Sequence, residues 1–310
     1  MTRQICVFGE VLFDRFPDGR RVLGGAPFNV AWNLAALGAE PLLISRVGTD
    51  EEGDSVRNAM RVRGLDTRGL QVGAGEHTGR VQVTIEDGEP AYDIVHPVAW
   101  DAIEPPAPAP RCGLLYHGSL ALRSEVSRRA LETLREAGPD IVFVDVNLRD
   151  PWWDRAAVLR LLEGAHWAKF NEAELALLSA PGADLESRAR ETVGRYGLQA
   201  LLLTGGESGA RLFTADGQRL ETSPTERVEV VDTVGAGDAF SSVTLLGILR
   251  GWPYPSCLDR AQAFASALLG RTLGVEIGRY RAGLDPVPIV LRSPEGERYA
   301  TDHLETAYVF

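Results

Sequence analysis

Asp232-Thr233-Val234-Gly235-Ala236-Gly237-Asp238-Ala239-Phe240 follows a β-branched run (Val228, Val230, Val231) and leads into an apolar stretch over 239–249 able to continue as a helix. Glycines at a strand-to-helix turn leave several backbone N–H groups aimed at one point, with the helix dipole behind them. Such a turn suits an anion, most naturally a phosphoryl group. A carboxylate at Asp238 should be repelled there, so its sensible role is a general base taking a proton from a hydroxyl that attacks phosphorus. The alternative is a glycine turn that Asp238 merely caps.

Working outward, the same strand–turn–helix unit recurs. Strand runs at 5–9, 41–45, 113–116, 141–144, near Trp167 and at 200–204 alternate with helical spacing over 27–37, 54–63, 124–137, 151–162 and 172–178. That alternation implies right-handed crossovers and a parallel sheet covered on both faces. One segment departs from it: 79–85 and 90–95 alternate apolar and polar residues around Glu86-Asp87-Gly88-Glu89, which predicts a β-hairpin standing off the main sheet as a lid. Residues 104–110 (EPPAPAP) form a stiff connector back to the core.

Composition bounds the function. A chain of 310 residues with formal net charge −11 has an acidic surface, so neither nucleic acid nor an anionic membrane is an expected partner. Lys169 is the sole lysine, which excludes a G-x-x-x-x-G-K-[ST] phosphate loop. Cys6, Cys112 and Cys257 are few and far apart, predicting neither a disulfide framework nor a zinc site and fitting a reducing cytosol. The N-terminal apolar run is broken by Glu10 and Asp14, and no long uncharged apolar run occurs, so neither a signal peptide nor a membrane span is expected. The expectation is a cytoplasmic globular protein.

The text DTVGAGDAF at 232–240 resembles the second signature of the PfkB (ribokinase-like) family of sugar kinases. Their first signature is matched by GGAPFNVAWNLAALG at 24–38, and two long motifs in the right order are more specific than either alone. The resemblance runs from about Ile5 to Gly270. It implies a ribokinase-like three-layer α/β sandwich with a central, mostly parallel sheet and a small β-sheet lid, drawn here as one domain with the lid from about 10–24 and 77–100. It also implies ATP-dependent phosphorylation of a sugar hydroxyl. By that resemblance Asp238 is the base, and the amides of Gly235, Ala236 and Gly237 hold the γ-phosphate.

The remaining site expectations follow position by position. Asn171-Glu172-Ala173-Glu174 matches the family's N-x-x-E element, which holds Mg²⁺ and phosphate, usually through water; spacing of three puts Asn171 and Glu174 on one helix face. The alternative there is a helix start whose acids favour the dipole. Lys169 is a phosphate-approaching candidate, with a solvent-facing lysine as the alternative. Thr204, Gly206 and Gly209, in LLLTGGESGA, look like the nucleotide-binding turn. On the sugar side, Asp14 of GEVLFD, with Gly24, Gly25 and Asn29, would supply the two-way hydrogen bonding a polyol requires. A solvated Asp14 and a helix-capping Asn29 are the alternatives.

Asn147 and Arg149 lie in DVNLR, which resembles the D-x-N-x-R element of fructokinases and ketodeoxygluconate kinases. An arginine would hold a sugar-acid carboxylate. The lid stretch AYDIVHP carries Asp93 and no arginine, which favours a neutral sugar, so fructose leads and ketodeoxygluconate follows. His117 and the tryptophans Trp152, Trp153, Trp167 and Trp252 are assigned to structure. After Gly270 the chain reads RTLGVE where the family has a Gly-Ala turn, which puts K⁺ binding in doubt and makes 275–310 an atypical tail. A non-catalytic sugar or nucleotide sensor on the same fold is the competing class, against which an intact Asp238 and Glu174 argue. A Rossmann dehydrogenase is disfavoured, since Gly9 opens no G-x-G-x-x-G. Dimerisation through the lid edge is expected because exposed strand edges need cover.

Overall fold

The computed structural model describes residues 4–86, 89–224, 235–269 and 275–276. The expectations placed on 228–234, on 271–274 and on a hairpin near 294–297 lie outside the described residues. In chain order the elements are β1 (Ile5–Phe8), β2 (Leu12–Arg15), β3 (Arg21–Gly24), α1 (Ala26–Ala36), β4 (Pro41–Gly48), α2 (Glu51–Arg63), β5 (Leu70–Gly73), β6 (Gly79–Glu86) and β7 (Glu89–Ile94). Then come β8 (Leu114–His117), α3 (Glu125–Glu136), β9 (Ile141–Asp145), α4 (Arg155–Leu161), β10 (Trp167–Asn171), α5 (Glu172–Leu178), α6 (Leu185–Tyr196) and β11 (Ala200–Thr204). The last described are β12 (Ala210–Thr214), β13 (Arg219–Thr222), α7 (Ala236–Arg250), α8 (Tyr254–Leu269) and β14 (Val275–Glu276).

The main sheet has nine strands in the order β13-β12-β11-β10-β9-β8-β1-β4-β5. From β5 to β11 all pairings are parallel, and β12 and β13 close one edge antiparallel. The parallel strands are apolar on both faces because both faces are covered. Val7, Tyr116, Phe143, Trp167 and Leu202 face a layer that includes Val30 and Leu34 of α1, Val243 of α7 and Phe264 of α8. The opposite face packs on Leu131 and Leu134 of α3, Val158 of α4, Leu175 of α5 and Val193 of α6. The expected helix over 54–63 starts earlier, because the Asp50 carboxylate accepts from Gly53 N and caps α2. The antiparallel edge and α6 went unread in the sequence; α8 was likewise not anticipated.

A second, five-stranded sheet has the order β14-β3-β2-β6-β7, so the expected hairpin (β6, β7) is joined by β2 and β3. Strand β2 runs parallel to β6 and ties the two chain segments together.

One expectation is corrected. Cys6 and Cys112 form a disulfide, with Cα atoms 5.7 Å apart, across a sequence separation of 106 residues. Ile5 stands opposite Leu114 in the β1–β8 pair, so the segment entering β8 lies beside β1 and brings the two thiols together. Distance along the chain was a poor guide. Cys257 is free and buried, and burial pushes its thiol up to about 12. Among the described residues no helix is long and apolar enough to cross a membrane.

Candidate active site

Strand order sets the location. From β1 the chain runs outward to β4 and β5, then returns to β8 on the other side and continues through β9, β10 and β11. In an open α/β sheet the crevice at the carboxyl ends of the strands, where direction reverses, is the usual binding position. The connections leaving β1, β8 and β9 converge there.

Helix α7 begins at the glycine turn. Gly235 is its N-cap with φ 82°, a left-handed conformation that favours glycine, and no side chain caps the helix. The N–H groups of its first turn therefore have no acceptor within the helix. Asp238 stands in that turn, half-buried, and its carboxylate accepts from Asn29 Nδ2 at 2.8 Å. Removal from water raises its pKa to about 6; the Asn29 bond and Lys169 pull downward, and Asp145 pushes up.

The Asn29 side chain belongs to α1, and its Oδ1 and Asp14 Oδ2 both approach Gly24: a β-carbon placed there would sit 4.0 and 3.7 Å from them. Gly25 has φ 107°, and a β-carbon on it would lie 2.7 Å from the Glu10 carbonyl oxygen. The structure thus gathers Asp14, Gly24, Gly25 and Asn29 and links them to Asp238 through one hydrogen bond.

Behind the turn lies a buried network that the sequence did not suggest. Lys169 and Asp145 are direct cross-strand neighbours on β10 and β9, and Lys169 Nζ donates to both Asp145 oxygens at 2.9 Å. The same carboxylate accepts from Tyr116 Oη (3.1 Å) and from Ser241 Oγ of α7 (2.8 Å). Lys169 is therefore buried, not solvent-facing. Burial works against its charge, but Asp145 outweighs this and holds its pKa above the usual lysine value. A β-carbon on Gly237 would sit 3.4 Å from Nζ, so the ammonium stands directly under the glycine turn.

Asn171 and Glu174 form a reciprocal capping box at the start of α5. The Asn171 side-chain oxygen accepts from Glu174 N, and Glu174 Oε2 accepts from Asn171 N, both at 2.8 Å. The other Glu174 oxygen accepts from Leu148 N at 2.9 Å, which fixes the loop after β9. Burial raises the pKa of this carboxyl despite the two N–H donors. Asn147 in that loop holds a positive φ of 42°, and Ser119 Oγ donates to its carbonyl at 3.4 Å. Arg149 is exposed, and its Nη1 donates to the Leu148 carbonyl at 2.9 Å.

Thr204 ends β11 directly opposite Asn171, and its hydroxyl donates to the Phe170 carbonyl at 3.3 Å. Gly206 is exposed on the following turn. Gly209 differs from it: it is buried, and a β-carbon there would run into the Thr222 carbonyl, so close approach to the end of β13 accounts for that glycine. His117 is buried, its Nδ1 hydrogen-bonded to the Gly118 carbonyl at 2.9 Å, and burial pushes its pKa down to about 3. It is a structural histidine.

Two further residues, on the connections after β1 and β8, had not been singled out. Glu10, directly after β1, is 3% exposed, and its Oε2 is buried without a hydrogen-bond partner. Arg123, after β8, is held between the Trp100 ring (4.0 Å) and the Trp152 ring (4.3 Å). Its guanidinium donates to both Asp101 oxygens (2.7 and 2.8 Å) and to the Val95 carbonyl (2.7 Å). An acid in the apolar run ICVFGEVLF was the available signal for Glu10.

Comparison with known proteins points to one family. The model of the pfkB family of carbohydrate kinases matches residues 3–276. A fructokinase of Klebsiella pneumoniae is 31% identical over 306 residues, covering 93% of this chain and 97% of that protein. The aminoimidazole riboside kinase of Salmonella enterica superposes with a TM-score of 0.75 at 29% identity, covering 87% and 94% of the two chains. A fructokinase of Vibrio cholerae O395, crystallised with fructose, ADP and calcium, superposes with a TM-score of 0.74 at 25% identity, covering 88% and 94%.

Proposed function

The chain belongs to the pfkB family of carbohydrate kinases, and from that premise we propose that this ATP-dependent sugar kinase phosphorylates fructose with Asp238 as its base. The observation that carries the reading is the 2.8 Å hydrogen bond from Asn29 to Asp238, which joins the polyol-binding turn to the carboxylate at the start of α7. A sugar seated against Asp14, Gly24 and Asn29 has a hydroxyl within reach of Asp238. The base takes that proton, the oxygen attacks the γ-phosphorus in line, and the bond to the β-phosphate oxygen breaks to release ADP. The first-turn amides, those of Gly235, Ala236 and Gly237, are proposed to receive the transferring phosphoryl group, with the Lys169–Asp145 pair supporting the turn from beneath. A positioned base contributes about 10²–10⁴ in rate.

Charge favours a neutral acceptor. Glu10, Asp14 and Asp238 face the crevice, against which stands Arg149; the Arg123 charge is taken up by Asp101. A sugar acid would add a fourth carboxylate to that balance. Thr204 and Gly206, at the neighbouring strand end, are proposed to contact ATP. Among the described residues no group of three His, Cys, Asp or Glu side chains forms a metal cage. Glu174, with each oxygen engaged by only one N–H, still fits a water-mediated role toward a magnesium ion carried in on ATP. Such an ion neutralises charge on the phosphates. The segment 270–274, whose departure from the family text put K⁺ binding in doubt, lies outside the described residues.

The same proposal makes the small sheet a lid and its outer strand β7, where Tyr92 is 55% exposed, a dimer edge. Cytoplasmic residence is proposed with the kinase reading, although the Cys6–Cys112 bond counts against a reducing compartment. Coupled ADP release with Mg-ATP against fructose, ribose, ketodeoxygluconate, adenosine and no acceptor tests the reading. Strong turnover on fructose alone is expected; preferred turnover of ketodeoxygluconate would overturn the charge argument.

A further inference from the structure

Glu10 does nothing for the mechanism above, and nothing in the fold explains it. Its backbone has a clear task, since its carbonyl lies under Gly25. One oxygen of its side chain has none: Oε2 is buried and has no hydrogen-bond partner. A buried carboxylate oxygen without a partner costs several times what a hydrogen bond returns, so it persists where a ligand supplies the donor. Glu10 directly follows β1, and its carbonyl against Gly25 sets it beside the turn that leads into the Asn29 helix. Arg123 Nη1 is buried and unpartnered in the same way. When ionised, a carboxylate oxygen lacking a partner matches a group that can donate to it, such as a hydroxyl.

We propose that Glu10 is a specificity-determining residue whose Oε2 accepts a hydrogen bond from a sugar hydroxyl other than the one phosphorylated. The proposal rests on the sugar-kinase reading. Division of labour between the two acids follows from their positions: Asp238 stands on the helix whose first turn faces the phosphoryl group, whereas Glu10 stands at the end of β1 behind the sugar turn. Burial raises the Glu10 pKa to about 7, in keeping with a carboxyl that has been stripped of water and awaits a donor.

The test compares the full-length wild type with Glu10→Gln, using Mg-ATP, fructose and each monodeoxyfructose. The isosteric amide keeps the shape of the pocket, and a melting curve checks that the variant folds. KM for fructose should rise about tenfold, since the amide oxygen still accepts but without the charge, with KM for ATP within twofold of wild type. One deoxy analogue should be the exception, handled alike by wild type and variant because it lacks the hydroxyl in question. A purely structural role moves all analogues together. An unchanged fructose KM in Glu10→Gln, or the same loss on every deoxy analogue, overturns the inference while leaving the kinase intact. A wild type that turns over no sugar removes the reading itself, and the inference falls with it.

Discussion

Replacing Asp238 with Asn should make the protein both slower and more stable. The carboxyl sits at about 6 in the fold against an ordinary 3.8, chiefly because it is removed from water. Its raised value means that the folded state prefers the protonated form. The penalty for holding the charge is therefore absent below pH 3.8, grows as pH rises toward 6 and is constant above it. Two pKa units correspond to about 3 kcal/mol. The substituted amide carries no charge, and its oxygen can still accept from Asn29 Nδ2. At pH 8 the variant should melt about 4–8 °C higher than wild type, and the gap should close near pH 4. Turnover should fall about 10²–10⁴-fold, with the KM for ATP little changed. Calorimetry at both pH values and coupled ADP release supply the two readouts. Turnover within tenfold of wild type would remove the base assignment. A melting gap that is absent, or equal at pH 4 and pH 8, would refute the desolvation argument.

For the wild type, kcat/KM should decline about tenfold per unit as pH falls below 6, since a protonated Asp238 accepts nothing; a profile flat to pH 5 would contradict this. Lys169→Met leaves the buried Asp145 carboxylate without its cation and should cost about 3–5 kcal/mol, seen in denaturant melts, together with most turnover. Adding Asp145→Asn should recover part of the stability and none of the activity; full recovery of activity would show that the pair has no role at the glycine turn. Gly25→Ala, at φ 107° and against the Glu10 carbonyl, should cost about 1–3 kcal/mol and raise the sugar KM with that for ATP unchanged. Equal rises in both would place the turn elsewhere.

What could be read from the sequence was local. The glycine turn, Asp238, the Asn29 helix and the 79–95 hairpin each announce themselves within about ten residues, through glycine spacing or a change of period from 3.6 to 2. Asn171 and Glu174 were legible as a pair; the helix-start reading is seen as a capping box, which also pins Leu148, and the magnesium role stays a proposal. The Lys169–Asp145–Ser241–Tyr116 network was not legible, because its members come from four elements and meet only once β8, β9 and β10 lie side by side. A hint existed nonetheless. A lysine in the middle of WAKFN, a strand apolar enough to be covered on both faces, requires a buried anion. The disulfide was missed for the same reason as the network, since parallel pairing brings together what the chain keeps 106 residues apart. Gly209 carries a structural reason that the sequence did not show, the close approach of the Thr222 carbonyl.

The reversal of chain direction at β1 and β8 has a bearing on how this enzyme can change. Residues proposed to grip the sugar hang from β1, β2, α1 and the loop after β9, while those proposed for nucleotide and phosphate hang from β10, β11 and α7. The two sets meet at few points, the Asn29 to Asp238 hydrogen bond and the bond from Leu148 N to Glu174 among them. Substitutions in the first set can retune which acceptor is used without disturbing the donor machinery, and the reverse also holds. New substrate preferences are therefore accessible by mutating loops on one side of the crevice, with the phosphoryl-transfer apparatus inherited whole.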